Sequence, residues 1–333
     1  MTEATDSPGS WAGGTSKSAT SAPVDAATAG AADSRAKGGL RGTEPWGPKP
    51  TRITPARIGI YAFLVVAALF FLMPFYVMVI TSLKPMSEIR LGNLMSLPDA
   101  PTVEAWVEAW AHACTGVDCN GIQVGLMNSF KILIPSVILS ITLGAVNGYA
   151  LSFWRPWGAN FIFAVLLLGA FIPYQVYLYP LVMMLSYIGL YNSLPGIVAV
   201  HTIFGLPIMT LLFRNYYAGL PIDLFKAARI DGGSFWTIFF YLILPMSGPI
   251  LVVATILQVT GIWNDFLFGL IFAGRESQPM TVLLNNVVNV TTGVREYNVN
   301  MAATILTALV PLFVYFISGR WFVRGIASGA VKG

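Results

Sequence analysis

The sequence predicts an all-α membrane protein with six transmembrane helices. Three observations carry this: apolar residues make up 56% of the chain and charged ones only 10%, the uncharged stretches are long enough to cross a bilayer, and Lys and Arg gather at alternate ends of those stretches. A soluble domain carries about a quarter charged residues. A chain this apolar cannot cover itself with polar surface, so lipid is the solvent for most of it.

Residues 1–50 stand apart, rich in Ala, Gly, Ser, Thr and Pro with almost no large aliphatics. They bury too little apolar surface to offset chain entropy, and we expect a disordered cytoplasmic tail. The segment lacks the apolar core of a cleaved signal peptide. The remainder, 55–333, reads as one transmembrane domain.

A crossing takes about 20 apolar residues. The first uncharged run is Ile58 to Leu83, and the second is Ile132 to Trp154. Pro156 to Phe213 is long enough for two helices, with Gly, Pro, Asn and Ser clustering between Tyr187 and Gly196 to mark the turn. A run after Asp231 continues to about Ala273, interrupted by Asp265, and the last is Tyr297 to Gly319. These give spans at about 58–83, 126–153, 159–186, 195–216, 237–273 and 298–319. Pro74, Pro135, Pro173, Pro180, Pro245, Pro249 and Pro311 fall within them and imply bent helices.

Placing the N-terminus inside puts Arg52, Arg57, Arg155, Arg214, Lys226, Arg229, Arg320, Arg324 and Lys332 on the cytoplasmic face. The outer flanks keep Arg90, Arg275 and Arg295, with Lys84 and Lys131 also assignable there, while collecting Glu88, Asp99, Glu104, Glu108, Asp118, Glu276 and Glu296. This is the positive-inside pattern, with both termini cytoplasmic in a multi-pass protein of the cell membrane. It accounts for the net charge of +4 without nucleic acid. The outer loop of about 85–121 holds the two cysteines, Cys114 and Cys119. An oxidising compartment favours a bridge between them, and two free thiols is the alternative.

The most informative stretch is the inner loop from Gly219 to Trp236. Pro221 suits a first helical turn and Asp223 complements its positive end. Ala227 and Ala228 let another surface approach closely. Gly232 can supply a left-handed terminating residue, and Ser234 can cap a second helix running into Pro245. A helix-turn-helix on the inner membrane face is expected between the fourth and fifth spans. Spacing alone leaves an ordinary linking loop open.

Lys226-Ala227-Ala228, then Gly232, then Leu242-Ile243-Leu244-Pro245 resembles the EAA loop of permease subunits of binding-protein-dependent ABC importers. The resemblance implies a coupling helix that docks on an ATPase, carried here by Leu224, Phe225, Lys226, Ala227, Ala228, Asp231, Gly232 and Pro245. Lys226 stands where the family has Glu. The C-terminus, Gly319 to Gly333, is similar to the tail of maltose-permease-type subunits, which implies that Gly329, Val331, Lys332 and Gly333 reach an ATPase interface. The likeness covers roughly Pro55 to Gly333. Within the carbohydrate family the chain looks closest to the glucose/mannose-type branch, on the Cys114–Cys119 loop, Asn128-Ser129, Gln278 to Asn286, and Glu296-Tyr297-Asn298-Val299.

Asp265 is the one acid deep in a run, and burying a carboxylate in hydrocarbon costs a few kcal/mol at least. Trp263, Asn264 and Asp265 are therefore candidates for the substrate pathway, or for a helix–helix polar contact. No GxxxxGK[ST] loop is present, so ATP and Mg are expected on a partner ATPase and no cofactor on this chain. His112 and His201 are too far apart for a metal site by spacing. We expect no catalysis. The resemblance implies a sugar permease working by ATP-driven alternating access, with a homologous second permease, two ATPases and an extracytoplasmic sugar-binding protein. A stand-alone secondary transporter or channel is the alternative.

Overall fold

A computed structural model of the chain describes residues 54–116, 118–289 and 295–330, with side chains as far as Gly319. The expected tail of residues 1–50 lies outside the described residues, as do Val331, Lys332 and Gly333. Compact packing groups the chain from Val65 onward into one unit and leaves the start of the first helix, through Leu64, in another.

Helix α1 (Pro55–Ser82) is apolar from Ile58 to Ile80, and its only buried residues are Ile80, Thr81 and Ser82. Beyond it the chain folds into two short helices, α2 (Met86–Ile89) and α3 (Glu104–Val107), the second continuing as a π-turn, Glu108–His112. Lys84 ties this region down. Its side chain is 2% exposed, and its Nζ donates to Asn93 O and Ser96 Oγ, both at 2.9 Å, beside Glu88 at 3.5 Å. A buried ammonium is tolerated when it is paired and hydrogen-bonded in this way.

Helix α4 (Gln123–Tyr149) has 27 residues, a rise of roughly 40 Å, and ends in a π-turn, Ala150–Trp154. Then come α5 (Ala159–Phe171) and α6 (Tyr174–Tyr187), expected from the sequence as one span bent at its prolines. The two are bent by 103° at a break before Pro173. Ile172 adopts extended backbone (φ −72°, ψ 129°), as a residue before proline prefers, and Pro173 offers no N–H to carry the helix on. The turn before α7 (Leu194–Ala218) uses left-handed Gly189 and Asn192, and Ser193 accepts from the Gly196 N–H as the cap.

Helices α4 and α7 form the central pair. A Cβ on Gly144 would run into Met209, and one on Gly148 into Phe213. Small residues four apart let the two backbones close up, as in membrane helix pairs generally. The contacts keep a constant offset along both chains, so α4 and α7 run parallel, and the chain between them must return to its starting side.

After α7 come α8 (Ile222–Ile230) and α9 (Phe235–Ile238), a π-turn (Phe239–Ile243), α10 (Leu244–Met246) and α11 (Gly248–Trp263). The expected fifth span, 237–273, is thus not one helix. It bends by 80° at Ser247, where Pro249 follows, and breaks again after Trp263 before α12 (Leu267–Phe272). Ser247 Oγ donates to Ile243 O at 2.6 Å and is hydrogen-bonded with the Tyr217 hydroxyl at 3.0 Å, fixing the corner.

A tight turn, Arg275–Ser277, leads into α13 (Met280–Val288), which packs on α4 and on α14 (Tyr297–Ala330). Helix α14 runs on past Gly319, and Gly329 lies in its backbone. Among the described residues, four helices are long and apolar enough to cross a membrane, and each bent pair adds one more if it counts as a single span.

Candidate functional site: the helical hairpin after α7

Helix α8 starts directly after Pro221, with Asp223 in its first turn and Arg229 in its last, so the charges complement the helix dipole. It ends in two interlocking backbone bonds. The Gly232 N–H donates to Arg229 O at 3.1 Å, and the Gly233 N–H donates to Ala228 O at 2.9 Å. That Schellman geometry requires a left-handed residue, and Gly232 supplies it at φ 81°. Ser234 then caps α9, its Oγ accepting from the Thr237 N–H at 3.3 Å.

One face of α8 is clamped to the rest of the chain. The Phe225 ring stacks on Phe153 at 4.9 Å between centroids and meets Tyr149 and Trp154 edge-on. Tyr149 in turn packs on Phe235 and Phe239, and its hydroxyl donates to Phe235 O at 3.2 Å. The Arg229 guanidinium lies 4.3 Å over the Trp154 ring. Each such aromatic pair is worth roughly 0.5–1.5 kcal/mol beyond its buried area, so the hairpin is held as a rigid body against the ends of α4 and α7.

The other face is open. Leu224, Lys226, Ala227, Ile230, Asp231 and Gly232 are exposed, with Ile230 at 86%. Lys226 pairs locally with Asp223 at 3.2 Å, so the departure from the family's Glu is met within the same turn. Pro245 is exposed too, at the start of the corner formed by α10. Of the eight coupling residues picked from the sequence, Phe225 and Ala228 face the chain, Leu224, Lys226, Ala227, Asp231 and Gly232 face away from it, and Pro245 lies outside the hairpin, exposed in α10.

Trp263, Asn264 and Asp265 share the break between α11 and α12, but they do not form one surface. Trp263 is 3% exposed, donates through Nε1 to Thr307 O at 3.0 Å and packs edge-on against Phe130. Asp265 accepts from the Phe268 and Gly269 N–H groups at 3.3 and 3.0 Å, capping α12, with His201 Nε2 at 3.8 Å. Only Asn264 is exposed. The cavity beside Asp265 and His201 is about 10 Å³, too small for a sugar. Sequence reasoning missed the partners here, because Thr307 and His201 lie far away in the chain.

At the opposite end of α4, Cys114 and Cys119 are joined in a disulfide. The small loop it closes reaches α13 and the turn before it: Asp118 pairs with Arg275 at 2.9 Å, and Asn286 Nδ2 donates to Thr115 O at 3.2 Å. Asn128 Nδ2 donates to Glu276 O, and Ser129 Oγ accepts from the Met280 N–H.

Comparisons with known proteins fit this architecture. Residues 136–328, which include the hairpin, match the family described as binding-protein-dependent transport system inner membrane component. A probable ABC transporter permease protein of Pyrococcus horikoshii is 35% identical over 287 residues, covering 85% of this chain and 99% of its own. The alpha-glucoside transport system permease protein AglG of Rhizobium meliloti is 35% identical over 221 residues, covering 64% of this chain and 57% of its own. Among solved structures, a bacterial ABC transporter involved in the import of the acidic polysaccharide alginate superposes with a TM-score of 0.66 at 19% identity, over 82% of this chain and 99% of that one, a likeness of fold. With the family model matching more than half of its length, the chain belongs to the binding-protein-dependent transport system inner membrane component family.

Proposed function

We propose that this chain is one permease subunit of a carbohydrate ABC importer, and that the α8–α9 hairpin is its coupling element on the cytoplasmic side. The observation that carries this is the hairpin's two-sidedness. An aromatic clamp fixes one face to the end of α4 and the π-turn that follows it, while Leu224, Ala227 and Ile230 stand open on the other. A surface of that kind transmits a push only if something presses on it, and an ATPase cleft is the partner that the family supplies. Closure of two ATPases on ATP would displace the hairpin as a unit and, through Phe225 and Tyr149, the ends of α4 and α7. ATP and Mg belong to those ATPases. A homologous second permease and an extracytoplasmic binding protein complete the assembly.

Support for carbohydrate comes from the alpha-glucoside permease among the relatives. A monosaccharide of the glucose/mannose type is the narrower reading and rests on sequence resemblance alone. Of the three pathway candidates we retain Asn264, the exposed one, as a contact for sugar hydroxyls, and assign Trp263 and Asp265 to holding the break in shape.

Ala227→Arg tests the coupling role. It places a long cation on the open face without touching the clamp, so the variant should reach the membrane at normal level yet fail to co-purify with the ATPase and fail to support ATP-driven uptake. Normal ATPase association with this variant, or ion-driven sugar uptake by the wild-type chain alone, would overturn the reading.

A further inference from the structure

We infer that the seam between α5 and α7 is a binding site for one anionic phospholipid, taken from the leaflet on the hairpin side. The headgroup end is an open cavity of about 800 Å³ lined by Ser152, Arg155, Asn160, Arg214 and Asn215 among others, with no Asp or Glu in its walls. Arg214 is set in place from two sides. Its Nη2 donates to Asn160 Oδ1 at 3.3 Å, and its guanidinium lies 3.9 Å over the Phe163 ring. Arg155 sits across the cavity with its Nε on Ser152 O at 3.2 Å. Neither arginine makes an ion pair among the described residues. Those bonds use one N–H of each guanidinium, and the others remain for a phosphate.

Two further features point the same way. Helix α5 begins at this cavity behind left-handed Gly158 with no side-chain cap, so the positive end of its dipole faces the same space. Trp157 beside it is 100% exposed, as an aromatic anchor at headgroup level is.

The acyl end lies along the same two helices. A second groove of about 400 Å³ is lined by Val165, Leu166, Gly169, Ala170, Phe204 and Pro207 among others, almost all apolar. From Asn160 to this stretch of α5 is roughly 8–15 Å by helical rise, past the roughly 5–8 Å of headgroup region on each side of a bilayer and so at the depth of the acyl chains. None of α5 is buried by the rest of the chain. A soluble anion would use the basic cavity and leave the groove empty; a zwitterionic lipid would use the groove and gain little from two arginines. The pairing of the two is what selects an anionic lipid.

The test uses the full chain, purified in detergent with whatever subunits accompany it, exposed to phosphatidylglycerol or phosphatidylcholine and read by native mass spectrometry. Phosphatidylglycerol should be retained over phosphatidylcholine. Arg155→Gln with Arg214→Gln should lower that retention roughly thirty-fold, the size expected for two basic side chains facing one phosphate. Gly169→Leu gives an independent arm: a Cβ there meets nothing within 4 Å, so the side chain fills the groove without disturbing the fold. It should lower retention of both lipids. Equal retention of the two lipids by the wild type overturns the site. So does unchanged retention in the arginine variant, or displacement of the lipid by inorganic phosphate with Gly169→Leu silent. Capture of an ATPase subunit by a cross-linker placed at Arg155→Cys, in place of lipid, also overturns it.

Discussion

Gly232 carries the sharpest consequence at the scale of a single residue. Its φ of 81° is a conformation that L side chains adopt at a cost of about 1–2 kcal/mol, yet a Cβ there would meet nothing within 4 Å. The obstacle to substitution is therefore backbone strain and not crowding. Gly232→Val should remove most ATP-driven uptake while leaving membrane levels intact, and Gly232→Asn, which tolerates left-handed backbone, should keep most of it. Equal uptake by the two variants would show that the turn geometry is not required. The neighbouring Gly233 obeys a different rule. A Cβ on it would lie 2.7 Å from Ala228 O and 2.8 Å from Ile238 Cγ1, so any side chain pries α8 from α9. The sequence announces Gly232 through its position after a helical run. It is silent about Gly233, whose constraint comes from Ile238 folding back over the turn.

At the scale of elements, the pairing of α4 with α7 depends on Gly144 and Gly148 admitting Met209 and Phe213. Gly144→Leu should overpack that seam by about 1–3 kcal/mol or more and lower the thermal unfolding midpoint in detergent. Gly261→Leu on α11 is the control, since a Cβ there meets nothing within 4 Å, and it should unfold as the wild type does. A midpoint for Gly144→Leu matching the control would show that close approach at Gly144 does not hold α4 to α7. The helices themselves were largely legible from apolar runs and charge flanks, because the bilayer demands both. The turn around Asn192 was legible from its Gly, Asn and Ser. The bends at Ile172 and Ser247 were legible only in part. Pro173 and Pro249 were visible in the sequence, but Pro74, Pro135 and Pro311 were equally visible and sit inside continuous helices. Whether a proline bends or breaks a span depends on what donates to the carbonyl that its missing N–H leaves free, and that neighbour is set by tertiary packing. The hairpin read well for the same reason in reverse, since its caps and stop are local.

At the scale of the whole molecule, the number of crossings turns on α5 and α6. Taken one by one, neither is a full span, and a 103° bend is also what a re-entrant loop looks like. The parallel course of α4 and α7 decides between these. Asn160 at the start of α5 meets Arg214 near the end of α7, and Leu190 after α6 meets Ser193 at the start of α7. The bent pair therefore carries the chain from one end of α7 to the other, and counts as one crossing. Odd parity follows between the outer segment and the hairpin: α4, the bent pair and α7. Impermeant maleimide checks this directly, because Cys114 and Cys119 are bonded to each other and give no background label. Leu91 and Ile230 are 82% and 86% exposed, so Leu91→Cys and Ile230→Cys are accessible reporters. Leu91→Cys should label in intact cells and Ile230→Cys only after the membrane is opened. Labelling of both from the same side would make α5 and α6 a re-entrant loop, and would place the hairpin on the face away from any ATPase.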